Sequence, residues 1–156
     1  MIPINIKGWG EIILEHLVSD VNGTLAIDGV LDESVIKAFT QLGDRLELHL
    51  VTGNIYGNIE QIEKALNCRS YCVPKGNEKK AKADYIRSLG SERVVAIGQG
   101  KNDAEMLKEA KIGICVLSQE GLAIDSILSS DVVAKNILDA LNLLKNPNRL
   151  IGTLHY

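Results

Sequence analysis

The chain has 156 residues, 46% of them apolar and 24% charged, and its 17 basic and 20 acidic residues give a net charge of −3. That length and apolar share suffice for one domain with a full core, and the near balance of charge, with no basic patch interleaved with aromatics, excludes nucleic acid as the expected partner. No apolar run approaches the roughly 20 residues of a membrane span, no signal-peptide pattern opens the chain, and Cys68, Cys72 and Cys115 fit a reducing cytosol better than a disulfide framework.

In chain order, Ile2 to Lys7 and Glu11 to Ser19 flank the turn Gly8-Trp9-Gly10 and predict an N-terminal β-hairpin. The apolar run Ile12 to Val18 delivers Asp20 at a strand end, where Asn22-Gly23 supplies the positive φ values of a tight turn. A helix is expected from Asp32 to Leu42, with Val35, Ile36, Phe39 and Leu42 on one face. The alternating stretch Leu46 to Val51 reads as a strand stopping at Thr52-Gly53-Asn54, followed by a helix near Tyr56 to Leu66 and a short strand Ser70 to Val73. A helix Lys79 to Leu89 leads to the fully apolar strand Val94 to Ile97, which ends at Gly98-Gln99-Gly100-Lys101-Asn102-Asp103. Helix Asn102 to Ala110, strand Ile112 to Leu117, helix Leu122 to Leu128, strand Val132 to Ala134 and helix Ile137 to Leu144 complete the alternation. Such alternation predicts an α/β protein: a Rossmann-like three-layer α/β/α sandwich around a mostly parallel sheet. His16 and His49 lie within apolar strand runs and are expected to be structural, and Cys68 and Cys72 lack the companions a zinc site needs.

Aspartate is disfavoured in strands, so Asp20 needs a reason for its place. A lone Asp-x-Asn-Gly more often caps a turn or helix than does chemistry. Three strands ending in small polar residues change that balance, because ligands of open α/β sheets bind at those ends. An Asp, a Thr, a Lys and a further Asp at successive strand ends are what phosphoryl transfer through an aspartyl phosphate requires.

The order Asp20–Thr24, Thr52, Lys82 and Gly98–Asp103 resembles the four motifs of the haloacid dehalogenase (HAD) superfamily of phosphohydrolases. Within it, the chain is similar to soluble relatives of the P-type ATPase phosphorylation domain, and the likeness extends to the ending Asn146-Pro147-Asn148-Arg149-Leu150-Ile151. The resemblance implies a HAD-like fold in which Asp20 is the nucleophile, Thr52 donates its hydroxyl to a phosphoryl oxygen, and Lys82 lets a carboxylate approach an anion. Backbone N–H groups of Val21 to Thr24, including Gly23 and Thr24, and of Gly53, beside Asn54, would cradle the phosphoryl group. Mg²⁺ would be the cofactor, held by Asp20, the carbonyl of Asn22, Gln99 and Asp103. Lys79 and Lys80 compete with Lys82, and Asp103 also reads as the start of a helix capped by Asn102 with Glu105 at its third position. Leu25 to Gly29 looks like the superfamily's small flap and would cover the site.

Two residues depart from the family pattern. Asn22 replaces the usual second aspartate, the general acid and base, and Gln99 replaces an aspartate that binds the metal. The expected function is therefore a slow Mg²⁺-dependent phosphatase, the alternatives being a non-catalytic phosphate- or partner-binding relative, or a phosphoryl acceptor with a long-lived phosphoenzyme. Only about thirty residues separate Asp20 from Thr52, and about thirty Thr52 from Lys82, too few in either interval for an inserted cap domain. The expectation is a single capless domain, residues 1–156, in the cytoplasm, acting on a small phosphorylated substrate or a phosphoprotein and forming a homo-oligomer, dimer or tetramer.

Overall fold

Glu15 divides the first apolar run between two sheets. In the computed structural model, which describes residues 1–156, the predicted strand Glu11 to Ser19 is two strands, because the backbone changes partners at Glu15. Strands β1 (Ile2–Ile6) and β2 (Gly10–Leu14) pair antiparallel as the expected hairpin. Glu15 then donates its N–H to the Arg93 carbonyl at 2.9 Å and accepts from the Glu47 N–H at 2.9 Å, which hands the chain to the central sheet as β3 (His16–Asp20). A small antiparallel hairpin, β4 (Ala26–Ile27) and β5 (Val30–Leu31), follows the Asp20 turn.

Helix α1 (Glu33–Gln41) starts at Asp32, whose carboxylate accepts from the Ser34 N–H at 2.9 Å, and buries Val35, Ala38 and Phe39. Then come β6 (Glu47–Thr52), α2 (Ile59–Leu66), β7 (Ser70–Cys72), α3 (Glu78–Leu89) and β8 (Val94–Gly98). A 3₁₀ turn at Lys101–Asp103 precedes α4 (Ala104–Glu109), followed by β9 (Ile112–Val116), α5 (Ile124–Ser129), β10 (Val132–Ala134) and α6 (Ile137–Lys145). A last helix, α7 (Pro147–Leu154), was not expected from the sequence.

The central sheet has the order β10-β9-β8-β3-β6-β7 and every neighbouring pair is parallel. Parallel strands covered on both faces read as apolar runs, and β8 and β9 are buried at every residue. The larger core joins the β1–β2 hairpin, α1, α2 and α6 to one side of the sheet, through residues such as Leu17, Phe39, Leu50, Leu141 and Leu144. The smaller core, with Val18, Val51, Ile86, Met106 and Leu107, packs α3 and α4 on the other. From β3 the chain runs outward to β6 and β7, then crosses to β8, β9 and β10. The order thus reverses beside β3, and the C-terminal ends of β3 and β8 flank that switch point, where doubly wound folds bind ligands.

Candidate active site

Asp20 ends β3 at this switch point and is only 5% exposed. Its Oδ1 accepts from Lys82 Nζ at 2.8 Å and its Oδ2 from the Thr24 hydroxyl at 3.0 Å. Lys82, one helical turn into α3 and 1% exposed, also donates to Asp103 Oδ1 at 2.8 Å. One buried ammonium therefore bridges two buried carboxylates. Lys80 instead pairs on the surface with Asp84, so of the candidate lysines Lys82 is the one that meets Asp20.

Asp103 is fixed from its other side by the loop that follows β8. Its Oδ2 accepts from the N–H groups of Gln99 at 3.0 Å and Gly100 at 2.9 Å. The helix start is therefore organised by Asp103 reaching back to Gly100, and not by Asn102, which lies inside the 3₁₀ turn. Gly98 makes room for this arrangement, since a Cβ there would stand 2.7 Å from Asp103 Cβ.

Thr52 ends β6 beside β3. Its Oγ1 accepts from Asn22 Nδ2 at 3.2 Å and from the Asn54 N–H at 2.9 Å. A hydroxyl has two acceptor lone pairs and one proton, so both lone pairs are used and the proton is left to donate. Asn54 holds its position in the left-handed region, at φ 52°. The side-chain oxygens of Asn22 and Asn54 are buried without a hydrogen-bond partner. Buried acceptors of this kind are costly unless a ligand or water completes them.

Gly23 and Thr24 are placed differently from the expected cradle. The Gly23 N–H donates to the Ala26 carbonyl at 2.7 Å and the Thr24 N–H to the Val21 carbonyl at 3.2 Å, so both are consumed in closing the turn. Thr24 serves the site through its hydroxyl on Asp20. Asn22, Gly53, Asn54 and Gln99 do line a cleft of about 750 Å³ with Asp20 and Lys82. Tyr56, Lys75, Glu78 and Glu120 line it too, and sequence reasoning missed them. Glu78 carried a signal, lying one helical turn before Lys82 on α3. A neighbouring cleft of about 740 Å³ lies against the β4–β5 hairpin. That hairpin, the expected flap, is tied to Glu120 through the Asp28 N–H at 3.1 Å and to Asn58 through the Gly29 carbonyl at 2.8 Å, and it lines this second cleft instead of the Asp20 cleft.

The electrostatics follow from two carboxylates sharing one ammonium. Burial, reinforced by the charge of Asp103 and opposed by Lys82, pushes the Asp20 carboxyl up to about 6. Burial alone would lower the Lys82 ammonium, but the Asp20 and Asp103 carboxylates outweigh it and hold the lysine above its ordinary range. Both shifts run upward, toward the protonated forms, and express an excess of one negative charge, which a cation would relieve. A carboxylate offers about four lone-pair sites. Asp20 has committed two of them and Asp103 three, so both keep capacity toward a cation or its water. All the donors are oxygens, as a hard divalent ion requires.

Comparison with known proteins agrees with this arrangement. A family model described as haloacid dehalogenase-like hydrolase matches residues 73–125, which include Lys82 and the Gly98–Asp103 loop. An uncharacterized protein of Methanocaldococcus jannaschii is 49% identical over 82 residues, covering 50% of this chain and 88% of that protein. A phospholipid-transporting ATPase of Saccharomyces cerevisiae is 31% identical over 108 residues, covering 69% of this chain but 8% of the ATPase. Among solved structures, the cobalt-bound deoxy-D-mannose-octulosonate 8-phosphate phosphatase of Haemophilus influenzae superposes with a TM-score of 0.71 at 14% identity, covering 85% of this chain and 88% of that one. The corresponding phosphatase of Moraxella catarrhalis, in complex with magnesium, phosphate and KDO, gives 0.68 at 18% identity, with 90% and 92% covered. The chain belongs to the haloacid dehalogenase superfamily of hydrolases, with its P-type ATPase-like relatives.

Proposed function

We propose that this protein is a Mg²⁺-dependent phosphatase that works through an aspartyl phosphate on Asp20. The observation that carries the reading is the buried Lys82 ammonium, 2.8 Å from both Asp20 and Asp103 at the switch point of the sheet. A fixed positive charge there offsets the repulsion between a carboxylate and a phosphoryl anion. In the first step an Asp20 oxygen bonds to phosphorus as the P–O bond to the leaving group breaks. In the second, water attacks phosphorus, the bond to Asp20 breaks, and inorganic phosphate departs with its proton released to solvent. The free Thr52 proton and Lys82 hold the phosphoryl oxygens in both. Asp20, the Asn22 carbonyl, Gln99 and Asp103 would hold Mg²⁺, which supplies charge stabilisation to the phosphoryl group when bound. The magnesium and phosphate of the similar Moraxella catarrhalis phosphatase support that assignment.

Asn22 limits the rate. Its amide has no proton to give a leaving group and cannot deprotonate water, and loss of such a group costs on the order of 10²- to 10⁴-fold. Leaving groups that depart without protonation, such as those of acyl phosphates and aryl phosphates, are therefore favoured. The hydrogen bond from Asn22 Nδ2 to Thr52 Oγ1 supports a second reading, a phosphoryl acceptor whose phosphoenzyme persists, because it puts an amide where hydrolysis needs an acid and base. The proposal includes a capless domain acting on a small phosphorylated substrate or a phosphoprotein, as a dimer or tetramer. Phosphate release from p-nitrophenyl phosphate and acetyl phosphate tests it: activity that requires Mg²⁺ and disappears in Asp20→Asn supports the phosphatase, whereas absence of both turnover and phosphoenzyme in the wild type refutes both readings.

A further inference from the structure

Histidines 16 and 49, 33 residues apart, meet because β3 and β6 pair in parallel with His16 opposite Glu47. Residues two apart in a strand share a face, so His49 joins Glu47 beside His16. The ring nitrogens His16 Nδ1 and His49 Nε2 lie 3.1 Å apart, and the Glu47 carboxylate is 3.4 Å from the first and 3.8 Å from the second. One ligand atom from each of the three side chains falls within 4.8 Å of the others. A tetrahedral ion with bonds of about 2.0–2.1 Å sets its donors about 3.3 Å apart, and the separations here, 3.1 Å between the rings and 3.4 and 3.8 Å to the two Glu47 oxygens, bracket that value.

We infer that His16, Glu47 and His49 form a second metal site, for a late first-row divalent ion of the Zn²⁺ type, on the edge of the sheet opposite the Asp20 cleft. Two imidazoles and a carboxylate suit Zn²⁺, whereas Mg²⁺ prefers oxygen donors alone. The other nitrogen of His49 bonds the Tyr85 hydroxyl at 2.9 Å, and Tyr85 stacks on Tyr71 with ring centroids 5.1 Å apart. Such a partner fixes the orientation of a ligating ring. The Glu47 side chain is 69% exposed while the histidines are 13% and 9%, so an ion has a path in and a coordination position left for water. Asp20 lies four positions along β3 from His16, about 13 Å at strand rise, too far for one ion to serve both. An ion here would join the first residues of the two strands whose last residues are Asp20 and Thr52.

The test uses the full chain, stripped with chelator and titrated with Zn²⁺ by calorimetry, and with Co²⁺ for its visible spectrum. The expected result is one ion per chain, retained in Asp20→Asn, with a tetrahedral Co²⁺ spectrum. His16→Gln should weaken binding at least about 10-fold, and Glu47→Gln, a surface change that cannot disturb the core, should do the same. Tyr85→Phe should weaken it about 10-fold through loss of its support. Free Zn²⁺ at about 100 times its Kd should raise the melting temperature by about 5–10 °C. Absence of bound Zn²⁺, binding unchanged by both His16→Gln and Glu47→Gln, or binding that vanishes with Asp20→Asn would each overturn the inference.

Discussion

Replacing Lys82 with methionine keeps the length and bulk of the side chain but removes the ammonium that Asp20 and Asp103 share. Both carboxylates are then left buried, at 5% and 0% exposure, with no charge between them. Breaking a buried ion pair from one side costs about 3–5 kcal/mol. Asp20 can escape part of that cost by taking up a proton, which makes the penalty depend on pH. In the wild type the Asp20 carboxyl already stands at about 6 in place of 3.8, so the folded state binds a proton more tightly than the unfolded chain. A raised acid of this kind contributes stability that is present below pH 4 and lost as pH rises toward 6, about 3 kcal/mol over that window. Without Lys82 its charge and its hydrogen bond, two of the three influences that lower Asp20, are gone, only the Thr24 hydrogen bond remains, and the loss extends above pH 6. Urea unfolding of both proteins at pH 5 and pH 8 measures the difference. Lys82→Met should be destabilised by about 3–5 kcal/mol at pH 8 and by distinctly less at pH 5. A penalty below about 1 kcal/mol at pH 8, or one that does not change with pH, would refute the reasoning that a single ammonium holds the two carboxylates.

Three further substitutions probe separate parts of the site. Gly98→Ala places a Cβ 2.7 Å from Asp103 Cβ, a contact with a fully buried and tightly bonded side chain, and should lower stability by about 1–3 kcal/mol in thermal or urea unfolding. Asn22→Asp supplies the missing acid and base and should raise steady-state phosphate release from acetyl phosphate by at least about 10-fold, less than the full 10²–10⁴ such groups contribute because this leaving group needs little protonation. Thr52→Val removes both the proton offered to the phosphoryl group and the acceptor of Asn22 and Asn54, and should cut turnover by about 10²-fold, as loss of an oxyanion donor does.

Asp20 and Thr52 were legible because each closes a strand, where a polar residue stands out against strand propensity, and Asp103 because it ends the polar loop that follows the apolar run Val94 to Ile97. The parallel sheet was legible for the same reason, since β8 and β9 are apolar throughout. Lys82 was not separable from Lys79 by helical phase, because residues three apart share a face; about 4.5 Å of helix rise places Lys82 against Asp20 and leaves Lys79 nearer the helix start. The division of residues 11–19 into β2 and β3 was hidden because the apolar run continues across Glu15. What changes there is the hydrogen-bond partner, supplied by Arg93 and Glu47 from distant parts of the chain. Helix α7 did carry a signal, with Pro147 at its first position and Leu150, Ile151 and Leu154 at helical spacing. The meeting of His16 with His49 depends on strand register, which neither histidine's local sequence reveals.

The central claim is that Asp20 carries the phosphoryl group. Protein quenched in acid after exposure to acetyl phosphate and Mg²⁺, digested and mapped by mass spectrometry, tests this directly. One phosphoryl group on the peptide containing Asp20, absent from Asp20→Asn, is the predicted result. A phosphoryl group on another peptide, or phosphate release that survives in Asp20→Asn, would contradict it.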